Sequence, residues 1–401
     1  MKALAYIISL ISATSLLASC LSEEGFATTP RAKLTSSIDT LSLDTVIAGV
    51  PTNTYTFQIY NPTVENLRIT RIALQKGQDS PFRVNIDGTY LREDNRSSWE
   101  LYAKDSLRVF VELTAPETQL DTPQEIEDKL SFRLENGNTH TVILKAYGQR
   151  VIRLSTSILE KDSVFQNDVP YLIRDSLVVP EGRTLRLPAG TRLFFHPSSK
   201  LIIHGRLIAQ GTKEKNIILR GDRMGYMFSQ QPYDRIPGQW GGLVFKEKSY
   251  GNILDFCDIH SSDLGIQCDS SNISTTKLTL SNSIIHNVSG DALMLNQCKT
   301  EIGNSQITNA GGNCVSIIGG DNTFIHCTIG QFYSFVGGRG AALRISNVHG
   351  QIHSPISKAF FKNCLNTGYN ENDINIESSS RYMEEEINYL FDHCLLNTPQ
   401  I

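Results

Sequence analysis

The side chains that could do chemistry lie in the second half of the chain. Three aspartates, Asp258, Asp269 and Asp291, are spaced so that they could gather on one face of a folded repeat. Clustered carboxylates bind calcium, and a carboxylate pair can cleave a glycosidic bond. Imidazole is an acid–base group and a metal ligand, and histidines recur in the same stretch at His260, His286, His326 and His393. Because each aspartate has the sequence context of a turn and the histidines do not share one register, we predict no catalytic residue, no metal site and no cofactor.

Aromatic side chains mark two segments that interrupt the surrounding pattern, residues 222–238 and 331–340. Exposed aromatic rings stack on sugar rings or anchor a protein partner. The predicted ligand- or partner-binding residues are Tyr226, Phe228, Tyr233, Trp240, Phe332, Tyr333, Phe335 and Arg339. In the alternative interpretation, Trp240 packs beneath its loop and both segments shield the core.

One short pattern, which returns from about Leu254 onward, must position these residues. A Cys or Ser at the centre of an apolar segment recurs at steps of 26, 22, 22, 37 and 30 residues, and a second short strand follows most members. Such a repeat is typical of a solenoid of stacked β-coils. We predict a right-handed parallel β-helix over residues 152–401. Its structural ladder is Cys257, Ser283, Ser305, Cys327, Cys364 and Cys394.

The ladder positions favour small side chains, because equivalent inward residues of stacked coils lie about 4.8 Å apart. Cys behaves there as a small buried hydrophobe. Disulfides between Cys327 and Cys364, or between Cys364 and Cys394, are the alternative. The chain has no Cys-x-x-Cys pair, and we predict no zinc site.

A different pattern fills residues 36–151. Short alternating runs such as 54–60 and 107–113 end at turn residues, and Asn136-Gly137 separates two further runs as in a tight hairpin. About seven strands in a segment of this length are typical of an immunoglobulin-like β-sandwich. The segment resembles immunoglobulin-like modules of bacterial surface proteins, which implies a spacer or adhesive role. The predicted fold class is therefore all-β, an N-terminal Ig-like β-sandwich followed by a C-terminal right-handed parallel β-helix.

Composition excludes some classes of protein. The chain has 401 residues, a net charge of −4 and 19% charged residues, which argues against binding to nucleic acid. Eight cysteines are too few for a disulfide-rich scaffold of this length. No long stretch after the N-terminal segment has helical periodicity, in agreement with an all-β fold.

Residues 1–20 have the pattern of a secretory signal peptide, with one Lys, a short apolar stretch and Leu17-Ala18-Ser19-Cys20. These four residues resemble the bacterial lipobox, which implies a lipoprotein signal peptide, lipidation of Cys20 and attachment to a membrane. An ordinary signal peptide is the alternative. Residues 21–25 resemble the acidic export tag of Bacteroidota-type surface lipoproteins, and residues 21–35 have the composition of a linker or tether.

Turns and strands from about 178 to 245 extend the resemblance. Pro-x-Gly turns at 180–182 and 188–190, a Gly211-Thr212 strand and the run Trp240-Gly-Gly-Leu243 occur in the order found in a family of bacterial surface lipoproteins with a β-helix. The resemblance implies a lipid-anchored outer-membrane protein, exposed at the cell surface. We predict that its β-helix is non-catalytic and binds a glycan or an envelope protein. The alternative is a polysaccharide lyase or glycoside hydrolase with a pectate-lyase-like β-helix. Of the motifs of those hydrolases only Arg344-Ile345-Ser346 is partly present, and Ser346 replaces a Lys.

Overall fold

A computed structural model describes residues 25–91, 98–154, 157–228, 230–378 and 387–399. The chain divides into two compact units, Met1–Gln149 and Arg150–Ile401, so the division falls next to the boundary predicted at 151 and 152. The predicted signal peptide and Cys20 lie outside the described residues. None of the helices in the described ranges has the length and apolar character needed to span a membrane.

The first unit is a β-sandwich of two five-stranded sheets. The first sheet contains, in spatial order, β1 (Thr35–Ser36), β3 (Tyr55–Tyr60), β8 (Ser106–Leu113), β5 (Phe82–Ile86) and β6 (Thr89–Tyr90). The second contains β2 (Thr40–Ile47), β10 (Thr139–Gln149), β9 (Gln124–Leu134), β4 (Leu67–Leu74) and β7 (Trp99–Leu101). A 3₁₀ turn at Gly77–Asp79 follows β4. Neighbouring strands are antiparallel except for the parallel pair β2 and β10.

Apolar and polar residues alternate along the sandwich strands, so each strand has one buried side and one exposed side. In β8 the side chains of Leu107, Val109, Val111 and Leu113 are buried between the sheets, and the residues between them point outward. The hairpin between β9 and β10 turns at Asn136 and Gly137, and Gly137 has a φ of 89°, which glycine adopts without strain.

Part of the predicted tether belongs to the sandwich. Ala27, Ala32 and Leu34 are buried in its core, and the side-chain amide of Asn136 donates hydrogen bonds to the carbonyl oxygens of Thr29 and Ala32. Some of the residues between 25 and 35 therefore pack into the sandwich, whereas the sequence analysis assigned residues 21–35 to a linker or tether.

The second unit is a parallel β-helix with three faces. Face 1 contains β11 (Ile152–Arg153), β13 (Tyr171–Ile173), β16 (Arg192–Phe195), β19 (Ile217–Gly221), β24 (Cys257–His260), β27 (Ile284–Val288), β30 (Gln306–Ala310), β33 (Thr328–Gln331) and β38 (Leu365–Gly368). Face 2 contains β14 (Leu177–Val179), β17 (Lys200–Ile203), β22 (Gly242–Phe245), β25 (Ile266–Cys268), β28 (Leu293–Asn296), β31 (Val315–Ile318), β34 (Leu343–Ser346) and β39 (Ile374–Glu377). Face 3 contains β12 (Ser163–Val164), β15 (Thr184–Pro188), β18 (Arg206–Gln210), β23 (Asn252–Asp255), β26 (Leu278–Ser281), β29 (Lys299–Gly303), β32 (Gly320–Ile325), β37 (Ile356–Lys362) and β40 (Ile387–Asp392).

The chain passes from face 1 to face 2 to face 3 in every complete coil, and each strand pairs in parallel with its equivalents in the neighbouring coils. Two short hairpins, β20 (Tyr226–Phe228) with β21 (Gln231–Pro232) and β35 (Val348–His349) with β36 (Ile352–His353), lie in the connections between faces. A 3₁₀ turn at Tyr233–Arg235 follows the first hairpin. The structure therefore confirms the predicted all-β class, with a parallel β-helix after an N-terminal sandwich.

The corner between face 3 and face 1 is the shortest and most regular. One residue with positive φ precedes each ladder position there. These residues are Phe256, Asn282, Asn304, His326, Asn363 and His393. Asn adopts this left-handed conformation more readily than most residues, and the sharp bend that it makes starts the face 1 strand in the same register in every coil.

Ladder side chains accept hydrogen bonds from the backbone N–H of the equivalent residue in the preceding coil. The Cys257 N–H donates to Ser283 Oγ (2.9 Å), the Ser283 N–H to Ser305 Oγ (3.2 Å) and the Cys364 N–H to Cys394 Sγ (3.4 Å). All seven cysteines from Cys257 onward are free thiols in this structure. Burial raises the pKa of Cys314 to about 12, so this thiol stays neutral and inert at ordinary pH.

Aromatic stacks and one buried lysine complete the β-helix core. Phe361 stacks between Phe324 and Phe391 with ring centroids 4.8 and 4.9 Å apart. Lys277 is fully buried, and its ammonium donates to the carbonyl oxygens of Lys246 (2.7 Å), Glu247 (3.2 Å) and Ser249 (3.0 Å). Because all three donors are satisfied, the charge fixes the turn that follows β22.

Candidate functional site

Two long loops leave the β-helix at the same corner, between face 1 and face 2. Loop 1 (residues 222–241) connects β19 to β22, and loop 2 (residues 332–342) connects β33 to β34. Four strand steps separate β19 from β33 on face 1, which corresponds to about 19 Å along the β-helix axis at the usual strand spacing. The coils between them make the same corner with only four or five residues, at 261–265, 289–292 and 311–314.

Loop 1 exposes two of its four predicted binding residues. Phe228 is 70% exposed and Tyr226 is also exposed, both on the β20–β21 hairpin. Tyr233 and Trp240 are buried, and Trp240 stacks on Phe195 at 4.3 Å while its indole N–H donates to the His260 carbonyl oxygen (2.8 Å). Trp240 and Tyr233 are therefore core residues rather than ligand contacts, because the loop folds back onto the coil beneath it.

Loop 2 exposes Phe332 and Phe335, whereas Tyr333 is buried, so Tyr333 is likewise not a direct contact. The Arg339 guanidinium donates to the Tyr333 carbonyl oxygen (2.6 Å) and to Asn370 Oδ1 (3.4 Å), which fixes the loop. It also lies over the ring of Tyr369 at 5.1 Å.

Tyr369, in the next coil, is an exposed aromatic residue that the sequence analysis missed. Its ring packs edge-on against Phe332, with centroids 5.0 Å apart. Phe332 lies five residues after Cys327 and Tyr369 lies five residues after Cys364. This equal offset from the ladder was the signal that could have found it.

A shallow polar pocket of about 500 Å³ lies at the base of loop 2. Its lining combines two arginines, one glutamate, four asparagines and a short apolar strip: Arg339, Arg344, Glu377, Asn313, Asn370, Asn372, Asn375, Gly340, Ala341 and Ile374. Arg344 donates through Nε (3.2 Å) and Nη2 (2.7 Å) to Glu377 Oε2, and this pairing holds the pKa of Glu377 below its usual range. Amide and guanidinium groups at one opening suit a ligand with many hydroxyl or carboxylate oxygens.

A second cluster lies on the outer surface of face 1. Asp258 Oδ1 accepts hydrogen bonds from His260 Nδ1 (2.8 Å) and His286 Nε2 (3.2 Å). The two imidazoles stack with centroids 4.8 Å apart, and His260 pairs directly with His286 in the strand register. The prediction that the four histidines share no register is therefore wrong for this pair. His326 and His393 lie apart from it, at the corner between face 3 and face 1.

Hydrogen bonds keep the Asp258 carboxyl group of this cluster ionised. Burial by itself raises the pKa of Asp258, but hydrogen bonds from His260 and His286 outweigh burial and hold that pKa well below its usual range. Arg220, also largely buried, faces Asp234, Asp258 and Asp222, and burial lowers the pKa of its guanidinium. Asp258 is consequently an ionised carboxylate shared by two imidazoles.

The other two candidate aspartates lie elsewhere. Asp269 Oδ2 accepts from Lys246 Nζ (2.6 Å) on face 2. Asp291 Oδ1 accepts from the Asn313 N–H (2.6 Å) in a turn between face 1 and face 2. Each is therefore occupied by a structural contact, and the three predicted carboxylates do not form one group.

The chain matches no family model and no curated protein. Among solved structures it is similar to the ASH / PapD-like domain of human CEP192 (PapD-like domain 7), with a TM-score of 0.21 and 11% sequence identity. The similarity covers 32% of this chain and 97% of that domain. At this TM-score the similarity supports no argument about fold or function.

Proposed function

We propose that the β-helix is a glycan-binding module and that loop 2, Tyr369 and the adjoining pocket form its binding site. One observation carries the proposal: the exposed rings of Phe332 and Tyr369 meet beside a pocket lined by two arginines and four asparagines. Aromatic faces bind the apolar side of a sugar ring, and amide and guanidinium groups bind its hydroxyl oxygens.

The arginines favour a glycan that carries carboxylates, such as a uronic-acid polymer. A guanidinium has five N–H donors in a planar fork that matches a carboxylate. Arg344 uses its Nε and Nη2 for Glu377, and Arg339 uses its Nε and Nη1 for Asn370 and Tyr333. Within the described residues, the remaining Nη of each is left for a ligand oxygen.

Loop 1 would extend this site along the same corner. The surface between the loops is polar, with Asp263, Ser289 and Asn313 in successive turns. Asp263 Oδ1 accepts from Ser289 Oγ (3.1 Å), which holds neighbouring turns together. The span of about 19 Å between the loops suits an extended chain of sugars rather than a single one.

The proposal includes attachment to the outer membrane through a lipid on Cys20, at the cell surface. Its support is the sequence Leu17-Ala18-Ser19-Cys20 after an apolar stretch. Stable anchoring needs more than one acyl chain. Metabolic labelling with a palmitate analogue tests this part, and Cys20→Ser should abolish the label.

Binding of the purified full-length chain to an array of neutral and uronic-acid glycans tests the glycan proposal, followed by calorimetry with the best ligand. We expect a carboxylated glycan to bind, and Tyr369→Ala and Arg339→Lys each to weaken binding at least tenfold, about 1.4 kcal/mol. Arg186→Ala is the matched control, because Arg186 is an exposed arginine on face 3.

Three outcomes would overturn the proposal. Unchanged binding in Arg339→Lys, which keeps the positive charge, together with a loss in Arg186→Ala, which removes one, would mean that only overall charge matters. Capture of an envelope protein through loop 2, with no glycan bound, would replace the glycan with a protein partner. Cleavage of the bound glycan would instead favour the lyase or hydrolase alternative.

A further inference from the structure

We propose that Asp258, His260 and His286 form a binding site for a first-row divalent cation such as Zn²⁺, separate from the glycan site at loop 2. Among the described residues, these three are one group of His, Cys, Asp or Glu whose ligand atoms all lie within 4.8 Å of one another. Imidazole nitrogens with a carboxylate oxygen are a ligand set that suits zinc and iron.

The distances between the ligand atoms fit one ion after a small movement. Asp258 Oδ1 lies 2.8 Å from His260 Nδ1 and 3.2 Å from His286 Nε2. Two ligands at about 2.1 Å from a tetrahedral zinc ion are about 3.4 Å apart. The two imidazole rings are nearly parallel, with 23° between their planes, so their nitrogens do not point at one common position. His286 is partly exposed and must rotate to direct its Nε2 at the ion that His260 binds. Binding should therefore open the stacked pair.

The two ring nitrogens of His260 have different surroundings. His260 is only 6% exposed, and its Nε2 atom is buried without a hydrogen-bond partner. Nε2 is on the other side of the ring from Nδ1, the atom that lies 2.8 Å from Asp258 Oδ1, so the ion would be held by Nδ1 and not by Nε2.

The surroundings are suited to a cation. Three carboxylates, those of Asp234, Asp258 and Asp222, surround Arg220, so negative charge exceeds positive charge among these four groups and attracts a cation although the guanidinium repels one. Loop 1 is tied to face 1 beside the cluster, because the Asn287 amide donates to the Arg235 carbonyl oxygen (2.7 Å) and Arg220 pairs with Asp234 (3.5 Å). The loop thus limits access of water, and a low local dielectric strengthens binding between the ion and its ligands.

Three protein ligands would leave one position of a tetrahedral ion open. An open position is the arrangement of zinc sites that bind water or a further ligand, whereas structural zinc sites are closed by four protein ligands. Nearby Cys257 cannot close the site, because its side chain is buried in the β-helix core, on the opposite side of the strand from Asp258.

Calorimetry of Zn²⁺ with the purified, chelator-treated full-length chain tests the proposal, together with Co²⁺ absorption as a report of ligand geometry. We expect about one ion per chain and, in His286→Ala and Asp258→Asn, at least a 100-fold weaker affinity, because loss of a direct ligand exceeds the 10–100-fold effect of an outer partner. His326→Ala is the matched control, since His326 is exposed at the corner between face 3 and face 1, two residues before β33.

Wild-type chain that binds no Zn²⁺ and gives no Co²⁺ spectrum would overturn the proposal without reference to any variant. So would equal affinities in wild type and His286→Ala. His286 is partly exposed, so this variant should keep its fold, and circular dichroism checks that it does.

Discussion

The sandwich and the β-helix are both all-β, yet they place side chains in different ways. Sandwich strands pair mainly with antiparallel partners, and apolar residues of two facing sheets meet in one layer. Each β-helix strand stacks on its equivalent one coil away, so residues at the same offset form columns. The column Phe324–Phe361–Phe391 and the pair His260–His286 are examples, one inside and one outside.

This difference explains where chemistry can be found in the molecule. A column places the same position of successive coils about 4.8 Å apart, so a single change in one coil adds a functional group directly beside another. The polar cluster at Asp258 and the aromatic pair Phe332–Tyr369 both arise in this way. In the sandwich, paired strands are separated by very different sequence distances, from the hairpin of β9 and β10 to the pair β2 and β10, so no constant offset links neighbours in space.

The largest expected effect is a loss of stability when one buried ring is removed from either core, and the two cores should differ in how far the loss spreads. Phe361→Ala in the β-helix and Phe132→Ala in the sandwich each remove a fully buried ring and should cost about 3–5 kcal/mol. Each coil contacts chiefly its neighbours, so hydrogen-exchange protection in Phe361→Ala should fall mainly in the adjoining coils. In Phe132→Ala it should fall across both sandwich sheets.

Uniform loss of protection along the whole β-helix in Phe361→Ala would contradict this contrast. Phe361→Leu is the conservative control, because it keeps most of the apolar volume, and the same coils should then lose less protection.

The next effect compares two buried polar side chains that hold turns. Lys277→Ala removes the ammonium from three carbonyl oxygens in the β-helix and should destabilise the unit by about 3 kcal/mol or more. Asn61→Ala removes a side-chain amide that donates to Glu65, Leu101 and Tyr102 in the sandwich. We expect about 2 kcal/mol there, because the amide carries no charge. Urea unfolding measures both, and a larger loss in Asn61→Ala would contradict the ranking.

A smaller effect tests the ladder. Ser283→Ala leaves the Cys257 N–H without its acceptor and should cost about 1–2 kcal/mol. Ser283→Cys should cost less, since Cys394 Sγ accepts the equivalent bond from the Cys364 N–H at the far end of the ladder. Thermal unfolding of the two variants compares them, and equal losses would show that the side chain serves only to fill space.

The smallest effect is pH-dependent and belongs to the pocket. Arg344 lowers the pKa of Glu377 below its usual value of 4.5, so the pair stabilises the fold above that pH and the contribution is lost as pH falls through the lowered pKa. Because Glu377 is partly exposed, we expect less than about 1 kcal/mol. Urea unfolding at pH 3 and 6 should show a smaller pH difference in Glu377→Gln. An unchanged difference would mean that other groups account for it.

Much of the fold could be predicted from the sequence because the ladder repeats. Cys257 to Cys394 fix the coil boundaries, and the longer steps between ladder residues point to added loops such as loop 2. The hairpin at Asn136-Gly137 was likewise visible as a turn.

Burial in the loops could not be predicted in the same way. Trp240 is a core residue because loop 1 folds back on Phe195, a long-range contact that no local pattern encodes. The sequence analysis assigned His260 and His286 no common register, although each lies three residues after a ladder position, Cys257 and Ser283. Measuring every polar residue from its own ladder position would have placed them side by side.

The corner between face 3 and face 1 gives the molecule a fixed reference point for redesign. A left-handed residue resets the strand there in coil after coil, so length added at the corner between faces 1 and 2 does not propagate. Loops 1 and 2 already demonstrate such insertions of different size. A recognition segment grafted in place of the short turn at 289–292 should therefore leave the stacking of β27 and β28 on their neighbours undisturbed.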